Sequence, residues 1–507
     1  MRGTEAVHRD EASRERGYQI PELVVFNAAT AGDLVARIDQ WVRDLEATGE
    51  ESGLLKHLSY HTLLDSDQTP AAAPFRTAIT AFGEGELGRK LVYLRKLIVQ
   101  RPDTSFSFPA AGLFYGLGET RNKLAYLFAG QGSQYLGMGK ALADAFPAAQ
   151  RAWETLGAMR WGDQSIREVV FSSGHATSAE AEAAFLKLSS ADWTNAAIGV
   201  VAQSILNLLE EMGVAPDAVA AHSFGDVAAL RAAGVISGED MIRIARRRGE
   251  CALACPQAKR GSILIVQEKS ERIQSVLSLH GIENVWMANY NTPGQIALTG
   301  VNESIVKTHQ IMRKQRIASR LIPISGAAHC PLSYDAGEMF AEFLPEITFA
   351  PAQCDVYSYL FGHKVGNHPD IYRKLLHAHV QKPVRFGQQI EQLHRDGARI
   401  FLEVGPADLL THMVSQTLEG KPHAAISTDH RKEGVALFTF VNAVAELFKE
   451  NRVRRLMPLW EGYQIPRARS QSQSGHAAPI SLADGYLKKL ELAFAKIERE
   501  HLSALAS

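Results

Sequence analysis

The chain is 507 residues long, 46% hydrophobic and 21% charged, with a formal net charge of −1. That length exceeds one ordinary core and implies two or three domains, and a near-zero charge gives no electrostatic footing for nucleic acid or an anionic membrane surface. No apolar run reaches membrane-spanning length, Met1-Arg2-Gly3-Thr4-Glu5 does not open a signal peptide, and four cysteines without a Cys-x-x-Cys suit a reduced, cytoplasmic setting.

Residues 1–19 are polar and expected to be disordered. Leu23-Val24-Val25-Phe26 reads as a strand, and Leu34, Ile38, Trp41, Val42 and Leu45 as one face of a helix. Phe75 to Phe82 reads as a returning strand and Leu87 to Ile98 as a second helix, which together make an α+β unit over 20–115 without evident chemistry. Leu124 to Phe128 is a buried-type strand, followed by the turn Ala129-Gly130-Gln131-Gly132-Ser133-Gln134-Tyr135. Glycines there let a backbone approach a ligand, but the turn has neither the Gly-Lys-Ser/Thr of a P-loop nor a dinucleotide fold's third glycine.

Ala196 to Met212 is helical and leads to Val219-Ala220-Ala221-His222-Ser223-Phe224-Gly225-Asp226, a strand turning sharply into a helix. Such an elbow lifts a serine Oγ clear of a sheet at a helix N-terminus, where orphan N–H groups favour negative charge. Ser223 is equally suited to capping that helix, and the stretch alone leaves both roles open. Met241 to Ala254 is a helix carrying Arg246-Arg247-Arg248-Gly249, a cluster of the kind that usually lines a solvated face. Ile263–Val266, Glu271–Leu279, Val285–Tyr290, Gln295–Gly300, Ser304–Lys314 and Arg320–Ile324 then alternate βαββαβ, the order of a ferredoxin-like unit inserted into a larger α/β domain. The chain leaves it at Gly326-Ala327-Ala328-His329, where the histidine is placed to reach a cleft or to serve structure. Strand Ile400 to Val404 follows, then a helix from Leu437 to Glu450, a flexible linker at 467–479, and a short amphipathic helix within 480–507. His377 and His379 are two apart, with no ligand set of metal spacing beside them.

Gln131-Gly132-Ser133-Gln134, His222-Ser223-Phe224-Gly225, Arg248-Gly249, Asn289-Tyr290-Asn291-Thr292-Pro293-Gly294-Gln295, His329 and Glu403-Val404-Gly405-Pro406 occur in this order. Together they resemble the malonyl-CoA:acyl carrier protein acyltransferase family, in particular the acyltransferase domains of polyketide synthases. The resemblance spans about Leu124 to Asp429. It implies an acyltransferase over 120–435, with an α/β-hydrolase-like large subdomain and a ferredoxin-like small subdomain at about 258–323. Residues 20–115 resemble the linker domain between ketosynthase and acyltransferase, and 436–466 the helix and linker that follow the acyltransferase. With no ketosynthase or carrier signature, the chain resembles a free-standing, trans-acting enzyme or an excised fragment.

The resemblance implies that Ser223 attacks an acyl-CoA thioester with His329 as general base, the histidine being oriented by a main-chain carbonyl. It implies an oxyanion hole from the N–H groups of Gln131 and Phe224, and a carboxylate clamp at Arg248, leaving Arg246 and Arg247 as ordinary surface charges. His222, Asn195, Asn289 and Asn291 would line the cleft, and Gly326, Ala327 and Ala328 would bear on the choice of extender unit. No metal or bound cofactor is implied: malonyl-CoA or a substituted malonyl-CoA is the substrate, and the partner's phosphopantetheine is the acceptor. An acyl carrier protein is the implied partner; a further one, reached through the linker domain or the C-terminal helix, is a polyketide synthase subunit. Ala221 and Asp226 stand where the family usually has glycine and glutamate, and Asn195-Ala196 where Gln-Pro is common. Ala328 stands where many malonyl enzymes have phenylalanine, which should widen the pocket beside the substrate α-carbon. Two other readings are an acyl hydrolase, disfavoured by Arg248, and a non-catalytic assembly subunit, disfavoured by the intact Ser223, His329 and Arg248. A general esterase would need His412 or His430 as its base, and neither lies in a comparable motif.

Overall fold

A computed structural model describes residues 19–48, 53–68, 73–118, 122–172, 177–256, 261–322, 326–432, 434–461 and 463. The expected disordered start before Gln19, the linker at 467–479 and the helix at 480–507 lie outside the described residues. Among the described residues no helix is long and apolar enough to cross a membrane. The chain divides into two compact units, one of 1–121, 212–214 and 440–507, the other of 122–211 and 215–439.

In the first unit, β1 (Glu22–Ala28) and β2 (Phe75–Ala81) pair antiparallel, and β3 (Phe106–Phe108) and β4 (Leu113–Leu117) complete a sheet of order β1-β2-β4-β3. Helices Ala31–Thr48 and Glu84–Gln100 bury Leu34, Ile38, Leu87, Leu91, Leu94 and Ile98 against it, as their apolar spacing predicts. A third helix, Leu54–Gln68, was hidden in the sequence because its buried face mixes Leu55, Leu58 and Leu63 with Ser59 and Thr62. Those hydroxyls have partners: Thr62 Oγ1 accepts from Val25 N–H, and Ser59 Oγ from Trp460 Nε1–H. The end of helix Ala436–Lys449 also belongs to this unit. There Thr80 Oγ1 donates to Asn442 Oδ1 at 2.8 Å, and Arg76 Nε–H donates to the Lys449 carbonyl at 3.1 Å.

The second unit carries two sheets. Strands β5 (Lys123–Phe128), β8 (Ala218–Ala221), β13 (Asp355–Ser358), β15 (Ala398–Glu403) and β16 (Ala424–Ser427) run parallel, with the short β14 (His363–Lys364) antiparallel at one edge, in the order β14-β13-β8-β5-β15-β16. The hairpin β6 (Arg160–Trp161) and β7 (Gln164–Ser165) stands apart. Register brings Phe128 opposite Ala221, Leu127 opposite Glu403 and Glu403 opposite Ser427. The glycine-rich turn, the elbow and the Val404-Gly405-Pro406 turn therefore leave the sheet at one carboxyl edge, where open α/β sheets place their ligands. The second sheet is antiparallel, of order β10-β11-β9-β12, from β9 (Gly261–Val266), β10 (Val285–Thr292), β11 (Gln295–Val301) and β12 (Ser319–Ile322). Helices Ser270–Leu279 and Asn302–Lys314 bury Ile273, Val276, Leu277, Ile305 and Met312 on it. Of the expected strand Arg320–Ile324, residues 323 and 324 fall outside the described residues.

Candidate active site

Strand β8 ends at Ala221 and helix Gly225–Ala232 begins four residues on, so the chain must reverse within a very tight turn. It does so by placing Ser223 at φ 55, a left-handed conformation that a non-glycine residue adopts at a cost of about 1–3 kcal/mol. Gly225 makes the turn possible, because a Cβ there would lie 1.9 Å from the Phe128 carbonyl oxygen. The residue that caps the helix is Phe224, with no side-chain capping bond, so the capping role left open for Ser223 is not the one the structure uses. Its Oγ–H instead donates to His329 Nε2 at 2.7 Å.

His329 follows the small sheet and is held from three sides. Its N–H donates to the Val380 carbonyl at 2.7 Å, and its Nδ1–H donates to the Lys382 carbonyl at 3.0 Å. A carbonyl can only accept, so Nδ1 carries the proton and the Nε2 lone pair faces the serine. Burial, helped by the nearby Arg248 and His222, pushes its pKa down to about 3 and keeps the ring neutral. The segment bearing Lys382 is fixed in turn against the small sheet, where Tyr290 N–H donates to Val384 O and Val384 N–H to Ala288 O, each at 2.8 Å.

The glycine-rich turn lies directly beside the elbow. A Cβ on Gly130 would fall 2.8 Å from His222 O, 3.0 Å from Phe224 N and 3.3 Å from Ser223 Cβ. Ser133 Oγ–H closes the turn onto Gly130 O at 2.9 Å, and Arg431 donates to the Gly132 carbonyl. Tyr135 donates to the buried Asp429, whose carboxyl burial pushes up to about 6. The Phe224 nitrogen thus lies close beside Gly130, with the exposed Gln131 next in the chain.

Arg248 lies on helix Gly238–Ala254, only 8% exposed, its guanidinium 5.6 Å from the Phe224 ring centroid. Its Nη1 is buried without a hydrogen-bond partner, and among the described residues no carboxylate stands within ion-pair distance. Burial lowers its pKa to about 10, which still leaves it charged at neutral pH. Asp226 is near enough to act on it electrostatically, but burial pushes that carboxyl well above its usual range and so favours its uncharged form.

The remaining expected residues divide. His222 Nε2–H donates to Asn291 Oδ1 at 2.8 Å, and Asn291 Nδ2–H to Gln295 Oε1 at 2.8 Å, which ties the elbow to the small sheet. Asn195 and Asn289 each bury an unpartnered Oδ1, and neither is hydrogen-bonded to the Ser223–His329 pair. Gly326, at φ 120, and Ala327 are packed under Gly261, where a Cβ would come 2.3 Å from Ala327 Cβ. Ala328 is half-buried and free of that constraint.

Sequence reasoning missed His379, which it weighed only as half of a metal pair. The residue is fully buried, its Nε2–H donates to the Ser223 carbonyl at 2.9 Å, and Tyr359 O–H donates to its own carbonyl at 2.6 Å. No periodicity marks such a residue, since its role comes from a loop folding under the elbow. Arg246 was also misread as an ordinary surface charge: it is largely buried and ion-paired to Asp192 and Glu250. Among the described residues no group of three or more His, Cys, Asp or Glu side chains is placed to hold a metal.

The structure thus brings together a strained serine on an elbow, a carbonyl-oriented neutral histidine that accepts its hydrogen bond, and a buried arginine with an unpartnered Nη1. A profile of the acyl transferase domain matches residues 125–451. The chain belongs to the acyl transferase family. This acyltransferase is 32% identical over 306 residues to the malonyl CoA-acyl carrier protein transacylase of Bacillus subtilis (strain 168), covering 58% of its own length and 90% of that relative's. It is 28% identical over 340 residues to the mycoketide-CoA synthase of Mycobacterium tuberculosis, covering 66% of its own length but 8% of that much longer protein. The acyltransferase domain from the second module of the salinomycin polyketide synthase superposes with a TM-score of 0.64 at 26% identity, over 86% of this chain and 95% of that one. This acyltransferase has a mixed α/β architecture, as the family resemblance implied.

Proposed function

We propose that this acyltransferase moves a malonyl-type unit from CoA to the phosphopantetheine thiol of an acyl carrier protein through an acyl-Ser223 intermediate, in polyketide or related fatty acid biosynthesis. The observation that carries this reading is Arg248, a buried guanidinium with an unpartnered Nη1 among the groups surrounding His329. An unpaired buried cation is costly unless something anionic arrives, and a planar fork suits a carboxylate bound bidentately. An acyl chain ending in a methyl group would leave that cation unmet.

In the proposed sequence His329 Nε2 takes the Ser223 proton as Oγ attacks the thioester carbon, and the oxyanion is met by the N–H groups of Phe224 and Gln131. The CoA sulfur leaves with the proton returned by His329. The carrier thiol then gives its proton to the same nitrogen and attacks the acyl-serine carbonyl, and His329 returns that proton to Ser223 Oγ as the acyl–oxygen bond breaks. Substrate also acts on the base, because a carboxylate at Arg248 cancels one of the charges that hold His329 low. The order of the antiparallel sheet supports a ferredoxin-like insertion in an α/β-hydrolase-like body. Half-buried Ala328 supports a pocket wide enough for α-substituted malonyl groups. We also propose that the enzyme acts in the cytoplasm without a bound cofactor, with 20–115 as a linker domain and 436–466 as its closing segment.

Intact-protein mass after mixing with malonyl-CoA or methylmalonyl-CoA tests the proposal. A malonyl-sized adduct on the wild type should be absent in Ser223→Ala and strongly reduced in Arg248→Ala. An adduct that survives Ser223→Ala refutes the assigned nucleophile. Transfer to water with no transfer to any carrier thiol would instead favour an acyl hydrolase.

A further inference from the structure

We propose that Arg246 is a positioning residue for Arg248, and that its seat between Trp161 and Trp193 sets how strongly the enzyme prefers acyl groups bearing a carboxylate. The inference rests on Arg248 being the carboxylate receptor. Arg246 and Arg248 are two residues apart on one helix, hence about 200° apart around its axis, so Arg246 faces away from the side that carries Arg248. It faces the first turn of helix Ala191–Glu211 instead. Its Nη1 donates to Asp192 Oδ2 at 2.8 Å and its Nε to Glu250 Oε1 at 2.7 Å, while Ser190 Oγ–H holds the other Asp192 oxygen at 2.5 Å. The guanidinium carbon lies 4.8 Å from the Trp161 ring centroid and 5.8 Å from that of Trp193, two rings that meet edge to face.

This seat lies beside the closest approach of the two helices. A Cβ on Gly249 would fall 2.3 Å from Ala191 O and 2.5 Å from Asp192 Cα, so the backbones meet without a side chain between them. That contact puts the Arg246 seat and the base of the Arg248 side chain on one closely packed stretch of helix, so a shift at the pinned guanidinium of Arg246 is passed along the helix to Arg248. Arg248 depends on it, because no hydrogen bond anchors its Nη1. An atom about 5–6 Å from the helix axis moves by about 1 Å for a rotation of about 10°. Asn195, three residues past Asp192, lies one turn further on the same helix and would move with it. Lysine could keep the ion pairs but not the stacking on two indoles.

The test measures acylation rates of the full-length protein with malonyl-CoA and with acetyl-CoA for wild type, Arg246→Met, Arg246→Lys, Asp192→Asn and Arg248→Ala, each with a melting temperature. Arg246→Met should lower the malonyl rate by about ten- to a hundredfold and the acetyl rate far less, so that the malonyl-to-acetyl ratio falls toward that of Arg248→Ala. Arg246→Lys should restore part of the ratio. Equal losses with both substrates, or an unchanged ratio, overturn the inference and leave Arg246 a merely structural residue. If Arg246→Met does not fold, Asp192→Asn, which keeps the side-chain shape, decides by the same ratio. If Arg248→Ala itself keeps the wild-type ratio, the receptor reading fails and the inference falls with it; the two failures differ in which variant retains the preference.

Discussion

Gly130→Ala tests the proposed oxyanion hole while leaving the side chains of Ser223, His329 and Arg248 chemically unchanged. Gly130 has no positive φ, so alanine brings no dihedral penalty and the effect comes from space alone. The new methyl carbon would lie 2.8 Å from His222 O and 3.0 Å from Phe224 N. Against the ~3.5 Å at which non-bonded carbon contacts become favourable, the turn must retreat by roughly half an ångström or more. That retreat carries Gln131 with it, and any methyl that stays crowds the Phe224 N–H from the side where the oxyanion would sit. Removing one oxyanion donor outright costs about two to three orders of magnitude in rate, and a 1 Å misplacement about two, so a loss of about ten- to a hundredfold is expected. Overpacking of this kind costs about 1–3 kcal/mol of stability, enough for a modest drop in melting temperature. The assay is quenched-flow acylation by malonyl-CoA, read by intact mass across a range of concentrations. The loss should fall on the maximal rate, with half-saturation changed less than a few-fold because Arg248 is untouched. A folded variant that acylates at the wild-type rate, or loses only affinity, would refute the placement of the oxyanion beside Gly130.

Three other outcomes follow from the same geometry. Arg248→Lys keeps the charge but not the fork, and acylation by malonyl-CoA should fall by at least tenfold, measured by the same mass assay. His329 sits below the ordinary histidine value when folded, so the unfolded chain binds a proton first; the stability its neutral form contributes is present above about pH 6.5 and is lost as pH falls toward 3. Denaturation at pH 7.5 and pH 5 should show that slope, reduced in His329→Gln. Glu403 has the opposite sign: burial raises it to about 7, so its contribution is present below about pH 4.5 and is lost as pH rises through 7. Its carboxylate accepts from Leu410 N–H, Thr411 N–H and Thr411 O–H, and Glu403→Gln should cost about 1–3 kcal/mol while flattening that part of the pH profile in chemical denaturation.

The elements that the sequence made legible are continuously apolar strands and helices with one apolar face. Leu23–Phe26 falls within β1, Leu124–Phe128 within β5, and the βαββαβ run at 263–322 appears in order. Helix Leu54–Gln68 escaped because two hydroxyl side chains occupy its core face. At the site, ordered motifs singled out Ser223, His329 and Arg248, which the resemblance and not their spacing tied together. What stayed hidden needed three-dimensional placement. His379 reaches the Ser223 carbonyl from a loop 156 residues away, and Lys382 contributes only a carbonyl, a group every residue has. Arg246 and Arg248 carry the same side chain, and the partners of each show Arg246 to be ion-paired and Arg248 to leave Nη1 unmet.

The strand order has a consequence for how the molecule is made. β5 lies at the centre of the sheet between β8 and β15, yet β15 is synthesised some 270 residues later. At roughly 5–20 residues per second, a ribosome needs about ten to fifty seconds to supply it. During that interval β5 can pair with β8 and form the elbow, but its other edge stays open, and Ser223 waits for a hydrogen-bond partner made 106 residues after it. A nascent chain stopped before Ala398 is therefore no weaker version of the enzyme. It is a half-sheet with an unpaired strand exposed through what should be its middle.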